Sequence, residues 1–230
     1  MTEAEALAVE KVMAERVSIR AYLDEPVSQE NLDKILEAGR RAPSGENAQP
    51  FRFIVTTDPV LRKKIGKLAQ KGSGRRFTGE FVTGKMQARF AGLTDPEKRE
   101  SAFKKLTSGV VSAFLADAPL LITVVGDKYV WDTPFDCSAA IENMHLMAHA
   151  LGIGACWVNA CTLDVRDEIE LKEMLKIPEW CKVLSIISFG TPDKHRAPRK
   201  RKPMEELVFD QDMSAAPRDK VIEGMDEHAM

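Results

Sequence analysis

The sequence predicts an α+β domain whose β-sheet is covered by helices on both faces, and two observations carry that expectation. Apolar, β-branched-rich runs at 51–57, 120–125 and 182–189 read as strands, and helix-like segments separate them. The run at 135–151 is the strongest helix and leaves almost no polar face, so burial on most of its sides is expected.

The elements follow in order. Residues 3–15 carry Leu7, Val9, Val12 and Met13 among acids and read as an amphipathic helix. Arg16-Val17-Ser18-Ile19-Arg20 interrupts that pattern, and Pro26 keeps the next stretch extended. Ser28 suits the N-cap of a helix running to about Arg41, with Leu32, Ile35, Leu36 and Ala38 on its inner side. Pro43-Ser44-Gly45 ends that helix and leads to the strand at 51–57. Asp58-Pro59 opens another helix, where proline is tolerated in the first turn. From 71 to 109 the chain is rich in Lys, Arg and Gly, with isolated aromatics at Phe77, Phe81, Phe90 and Phe103. Its low apolar density predicts a mobile, lid-like excursion with one or two helices, not a second domain. Pro119 precedes a continuous apolar run at 120–125 that suits a buried central strand. In the 135–151 helix, Ala139, Ala140, Ile141, Met144, Met147, Ala148 and Leu151 form the apolar surface, and Gly152 is the natural C-terminal stop. Gly190-Thr191-Pro192 closes the strand at 182–189. The domain is therefore expected to span 1–210, with the tail at 211–230 disordered or packed on a partner subunit.

Bulk properties narrow the class without naming a chemistry. Lys+Arg 33 against Asp+Glu 35 gives a net charge of −2, which offers no global reason to expect nucleic acid or an anionic membrane as partner. No apolar run approaches the roughly 20 residues that span a bilayer. The first fifteen residues carry four glutamates and no basic-then-apolar pattern, so no signal peptide is expected. Cys137, Cys156, Cys161 and Cys181 lack C-x-x-C spacing, and reduced, partly buried thiols in a cytoplasmic protein are the expectation.

Three separated stretches offer polar groups suited to a phosphorylated, planar ligand. In Arg16-Val17-Ser18-Ile19-Arg20, two guanidinium groups flank a hydroxyl and could hold a phosphate; taken alone, a solvated basic turn fits better. In 42–51, Pro43 and Pro50 stiffen a loop in which Ser44 and Asn47 supply a hydroxyl and an amide for a ring edge, or simply bond the loop's own backbone. His195-Arg196-Ala197-Pro198-Arg199-Lys200-Arg201-Lys202-Pro203 is a basic cluster that could read as a nucleic-acid patch. The slightly negative net charge argues against that, and the cluster could instead complete a phosphate pocket begun by Arg16 and Arg20. His145 and His149 stand at metal-ligand spacing, but on a helix expected in the core, where packing or dimer-contact histidines fit better.

Together these stretches resemble the nitroreductase family. Arg16-x-Ser18-x-Arg20 with Tyr22 looks like its N-terminal signature, and Ala42-Pro43-Ser44 followed by Asn47-x-Gln49-Pro50-aromatic-x-Phe53 looks like its second FMN segment. Residues 139–144 through Leu151-Gly152-Ile153-Gly154 and Trp157 look like its central helix and following loop. Phe189-Gly190-Thr191-Pro192 and Arg199-x-Arg201-x-Pro203 look like its closing segment. The resemblance implies a mixed, mainly antiparallel sheet flanked by helices in an intertwined homodimer, with FMN at the subunit interface. It implies that Arg16, Ser18, Arg199 and Arg201 bind the FMN phosphate and ribityl chain, with the Val17 main chain close by. Arg20 would sit at the pyrimidine edge of the flavin, and Pro43, Ser44 and Asn47 would meet the isoalloxazine edge. Trp157, Val158, Asn159 and Ala160 would pass beside the ring, with a backbone N–H facing N5.

The implied activity is cytoplasmic, ping-pong hydride transfer from NADH or NADPH through FMN to a small electron-poor acceptor such as a nitroaromatic or quinone. No catalytic side chain and no metal is expected, because the cofactor carries the chemistry. The Trp157-Val158-Asn159-Ala160-Cys161 stretch departs from the Gly-rich or Glu-Gly pattern of many relatives, and 71–109 matches nothing in them. Two other readings are a specialised branch of the same fold (reductive dehalogenation or flavin cleavage) and a flavin-binding protein without turnover. The 71–109 region lacks the residues with which the dehalogenating branch clamps an amino acid zwitterion.

Overall fold

The structure, a computed structural model, describes residues 2–213. Its seven α-helices are α1 (Glu3–Glu15), α2 (Gln29–Arg40), α3 (Pro59–Val82), α4 (Lys85–Arg89), α5 (Pro96–Thr107), α6 (Thr133–Ala150) and α7 (Val165–Leu175). Four strands, β1 (Phe51–Thr56), β2 (Leu120–Asp127), β3 (Gly154–Val158) and β4 (Cys181–Gly190), form one sheet in the order β1-β2-β4-β3. Every neighbouring pair is antiparallel. None of the described helices is long and apolar enough to cross a membrane.

Strand alternation divides the core in two. Leu120, Ile122 and Val124 of β2, with Ile187 and Phe189 of β4, face α2 and α6. Leu121 and Val125, with Val183 and Ile186, face α3 and α7 on the opposite side. This is the sheet covered on both faces that the sequence predicts. α6 lies where its composition places it: Cys137, Ala140, Ile141, Met144 and Ala148 are all fully buried. Its end is a Schellman closure, with Ile153 N–H donating to Ala148 O (2.8 Å) and Gly152 N–H to His149 O (3.0 Å). Gly152 takes φ +74° there, a left-handed conformation that costs glycine little.

Local signals set the other helix ends. The Ser28 hydroxyl accepts from Asn31 N–H, Asp58 caps α3 ahead of Pro59, and Thr2 with Glu5 forms a reciprocal capping box on α1. α1 nevertheless buries none of its residues, and Leu7 and Met13 are more than half exposed.

The 71–109 excursion holds more helix than its sequence predicts. α3 continues through it to Val82, and α4 and α5 complete three helical segments. Aromatics isolated in sequence meet in space: Phe103 lies edge-to-face with Phe81 (5.6 Å between centroids) and with Phe90 (5.7 Å). Met86, Phe90, Leu93 and Ala102 are buried in this small core of its own. Low apolar density understates the helix content here because few residues suffice when three helices share one cluster. At its base, Arg75 is paired with the fully buried Asp167 of α7 and with Asp164 (3.2 Å), tying α3 to α7 on the same face of the sheet.

Two elements lie outside the sequence expectation. β3 is only five residues long and begins with Gly-Ala, and α7 is mostly charged, so neither has a strong pattern by itself. Both are set by neighbours: β3 pairs along β4, and Glu168 of α7 accepts the Val183 N–H at 3.1 Å. The expectation for the 211–230 tail lies outside the described residues from 214 onward.

Candidate functional site

The 16–20 segment is not a solvated turn. Leaving α1, it runs beside the edge strand β3: Ser18 bridges Ala155 in parallel, and Ile19 N–H donates to Ala155 O at 3.0 Å. Gly154 permits this approach, since a Cβ there would come within 2.7 Å of the Ile19 side chain. Tyr22 locks the far end, donating its hydroxyl to Ile19 O (2.6 Å) and meeting Ser188 Oγ (2.7 Å). Arg16 Nε lies 3.4 Å from Glu142 Oε1 on α6. The alternating side chains of a short, pinned strand thus reach one side of the sheet edge.

That side is a cavity of about 750 Å³. Ten of the thirteen residues expected at a cofactor line it: Arg16, Val17, Ser18 and Arg20; Trp157, Val158, Asn159 and Ala160; and Arg199 with Arg201. Residues 195–203 therefore join the N-terminal arginines in space, as a phosphate pocket requires. The lining carries eight Lys and Arg side chains and no carboxylate. Such a field suits a dianionic phosphate, whose burial needs several charge-assisted partners. The Trp157 indole N–H donates to Asn159 Oδ1 at 2.6 Å, which orients the ring where the chain leaves β3.

Pro43, Ser44 and Asn47 do not line this cavity. Their loop is fastened to the beginning of α6, where Gly45 N–H donates to Asp136 Oδ1 at 3.1 Å. Glu142, the partner of Arg16, stands six residues further along α6, about 9 Å along the helix axis. The loop is held in an unusual shape, with Glu46, Asn47 and Gln49 all at positive φ (53°, 55° and 46°). Ser44 Oγ accepts from Gln49 N–H (3.0 Å), and Asn47 Oδ1 accepts from the Gln49 amide at 3.0 Å. Pro43 and Asn47 are exposed. A single chain thus displays these groups outward, apart from the arginines.

Sequence reasoning passed over a further part of the wall, which comes from the excursion: Arg76, Phe77, Arg89, Phe90, Lys105 and Leu106. The charge and aromatic content of 71–109 was the available signal, but only the helical fold aims it at the cavity.

His145 is a packing residue, 3% exposed, with ring centroids 6.5 Å from Trp157 and 6.4 Å from Phe189. Its Nε2 is buried without a hydrogen-bond partner. Burial, and secondarily the Arg16 charge, pull its pKa down to about 4. The unfolded chain, with a histidine near 6.5, therefore takes up the proton first. This contribution to stability is complete above about pH 6.5 and is lost as pH falls toward 4, with an upper size of roughly 3 kcal/mol. Urea midpoints measured across that window should fall for the wild type and stay flatter for His145→Phe. Equal slopes in the two proteins would exclude this origin. The four cysteines are unpaired and buried; burial raises Cys137 and Cys161 to about 12 and also raises Cys156 and Cys181. None is poised as a nucleophile.

The sheet order, the buried α6 and an arginine-lined cavity at the β3 edge define an α+β protein with a strongly cationic cavity at its sheet edge. A family model described as the nitroreductase family matches residues 13–191, and the chain belongs to that family. It is 32% identical over 187 residues, covering 79% of this chain and 84% of the other, to an Archaeoglobus fulgidus protein named as an NADH dehydrogenase/NAD(P)H nitroreductase. It is 28% identical to a Bacillus subtilis FMN reductase, over 86% of this chain and 71% of that one. Among solved structures, an FMN-dependent nitroreductase of Clostridium difficile superposes with a TM-score of 0.63 at 27% identity, over 86% of this chain and 96% of its own.

Proposed function

We propose that this protein is a cytoplasmic FMN-dependent oxidoreductase that works as a homodimer, with each flavin held by both subunits. The observation that carries the reading is the cavity that gathers Arg16, Ser18, Arg20, Arg199 and Arg201 against Trp157–Ala160 with no carboxylate in its lining. The names of the Bacillus and Clostridium relatives point to the same cofactor.

The chain's own residues divide the work. Arg16, Ser18, Arg199 and Arg201 bind the phosphate and ribityl chain, with the main chain of Val17 alongside. Arg20 would place a fixed positive charge at the pyrimidine edge of FMN and so raise its electron affinity. Trp157, Val158, Asn159 and Ala160 would flank the ring and offer it a backbone N–H. FMN held there would supply hydride chemistry between NADH or NADPH and a small acceptor such as a nitroaromatic or quinone.

Surfaces that one chain leaves open support the dimer. α1 has no buried residue, Phe135 at the start of α6 is 71% exposed, and Trp131 beside it is 92% exposed. The loop carrying Pro43, Ser44 and Asn47 faces outward, where it would reach the cavity of a second copy and meet the isoalloxazine edge. The excursion then serves as the lid over the exposed flavin face.

An absorbance spectrum of the purified protein, followed by anaerobic addition of NADPH and then NADH, tests the proposal. Flavin bands that bleach are the expected result. A colourless protein that takes up no added FMN would sink it, and flavin that is bound but never reduced would favour a non-catalytic role.

A further inference from the structure

The excursion's part of the cavity wall has a chemistry that the flavin does not absorb. Arg76, Arg89 and Lys105 project from three different helices, and Phe77, Phe90 and Leu106 stand between them. Glu80, with a side chain only 13% exposed, holds two of these cations in place: its Oε1 is 3.0 Å from Arg76 Nε and its Oε2 2.9 Å from Arg89. Arg76 also lies 5.3 Å from the Phe77 ring centroid. Lys105 has no carboxylate partner among the described residues. Three cations and one carboxylate leave two positive charges on this wall, beyond the arginines at 16, 20, 199 and 201.

Resting on the flavoenzyme reading above, we propose that this wall is an acceptor subsite for a flat apolar compound bearing a carboxylate, with Arg76, Arg89 and Lys105 drawing in its charge while Phe77, Phe90 and Leu106 contact its frame. Two features favour a small anion over an uncharged quinone. Neutral rings require the apolar contacts but give no reason for cations on three separate helices. Glu80 spans Arg76 and Arg89 and so presets the spacing of their guanidinium groups. Low dielectric beside the aromatic side chains strengthens the attraction to a carboxylate that reaches them.

The test uses flavin-loaded protein reduced by dithionite, so it does not depend on any nicotinamide donor. Reoxidation by 4-nitrobenzoate is compared with reoxidation by 4-nitrobenzamide, an acceptor of similar shape that is uncharged and intrinsically easier to reduce. The wild type should use the carboxylate at least as fast as the amide. Lys105→Glu should lower the carboxylate rate constant about tenfold while moving the amide less than about twofold, and added salt should erode the preference. Lys63→Glu, an equal change of net charge on an exposed α3 position outside the cavity lining, should leave the ratio unchanged. The paired variant Glu80→Gln/Arg89→Gln avoids an unpartnered buried charge and should weaken the carboxylate preference as well.

Calorimetric binding of the same two compounds to unreduced protein reads the selectivity without turnover, so a failed flavin reading and a failed subsite remain distinguishable. Equal ratios in wild type, Lys105→Glu and the paired variant would overturn the proposal. It would also be overturned if these substitutions slowed reduction by NADPH while leaving both acceptors untouched, because the cations would then serve the donor's phosphates.

Discussion

Arg16→Ala is expected to yield protein that folds but purifies nearly colourless. Arg16 leaves α1 at the point where the 16–20 segment joins the β3 edge, and its guanidinium lines the cavity with an ion pair to Glu142 (3.4 Å). Removing one partner of a buried, hydrogen-bonded phosphate costs about 2–5 kcal/mol, so FMN affinity should fall by about thirtyfold or more. The Glu142 carboxylate is nearly half exposed and can be rehydrated, so the loss of its partner should cost little stability. Fluorescence titration of the flavin-free protein with FMN measures the first effect, and its melting temperature without flavin measures the second. Wild-type affinity in Arg16→Ala would remove this cavity from consideration as the phosphate site.

Mixing two inactive variants should restore activity. Arg16→Ala disables the cavity side of the proposed site, and Ser44→Ala/Asn47→Ala disables the loop side. If each flavin is held by the cavity of one subunit and the loop of its partner, a mixed dimer has one site with both defects and one with none. Random reassortment makes half of the dimers mixed, so about a quarter of all sites should recover, from near zero in either parent. Should one chain supply both halves of its own site, every site would keep a defect and the mixture would stay inactive. The outward loop, 9 Å or so along α6 from the arginines, is what makes the first outcome expected.

The elements readable from sequence were those whose local chemistry agrees with their place in the fold. The N-caps at Ser28 and Asp58, the glycine at 152 and the apolar run at 120–125 each act within a few residues, and the structure has α2, α3, the end of α6 and β2 where those signals put them. β3 and α7 escaped because their stability comes from partners: one from pairing with β4, the other from a charged helix whose Glu168 satisfies a strand N–H. The excursion's helix content escaped for a related reason, since Phe77, Phe90 and Phe103 share a cluster only after three helices bring them together.

The candidate site divides along the same line. Residue identity alone marked the arginines at 16, 20, 199 and 201, because a phosphate requires charge-assisted donors and the motif order was recognisable. That 16–20 lies on the β3 edge, that 195–203 returns to it across almost the whole chain, and that the 43–47 loop does not, are facts of tertiary structure. Propensity and periodicity act over a turn of helix or a few strand residues, so the sequence by itself determined the segments and their chemistry. Which segments share a cavity depends on how the sheet orders its strands and which helix face each buries, a choice made by packing over the whole domain.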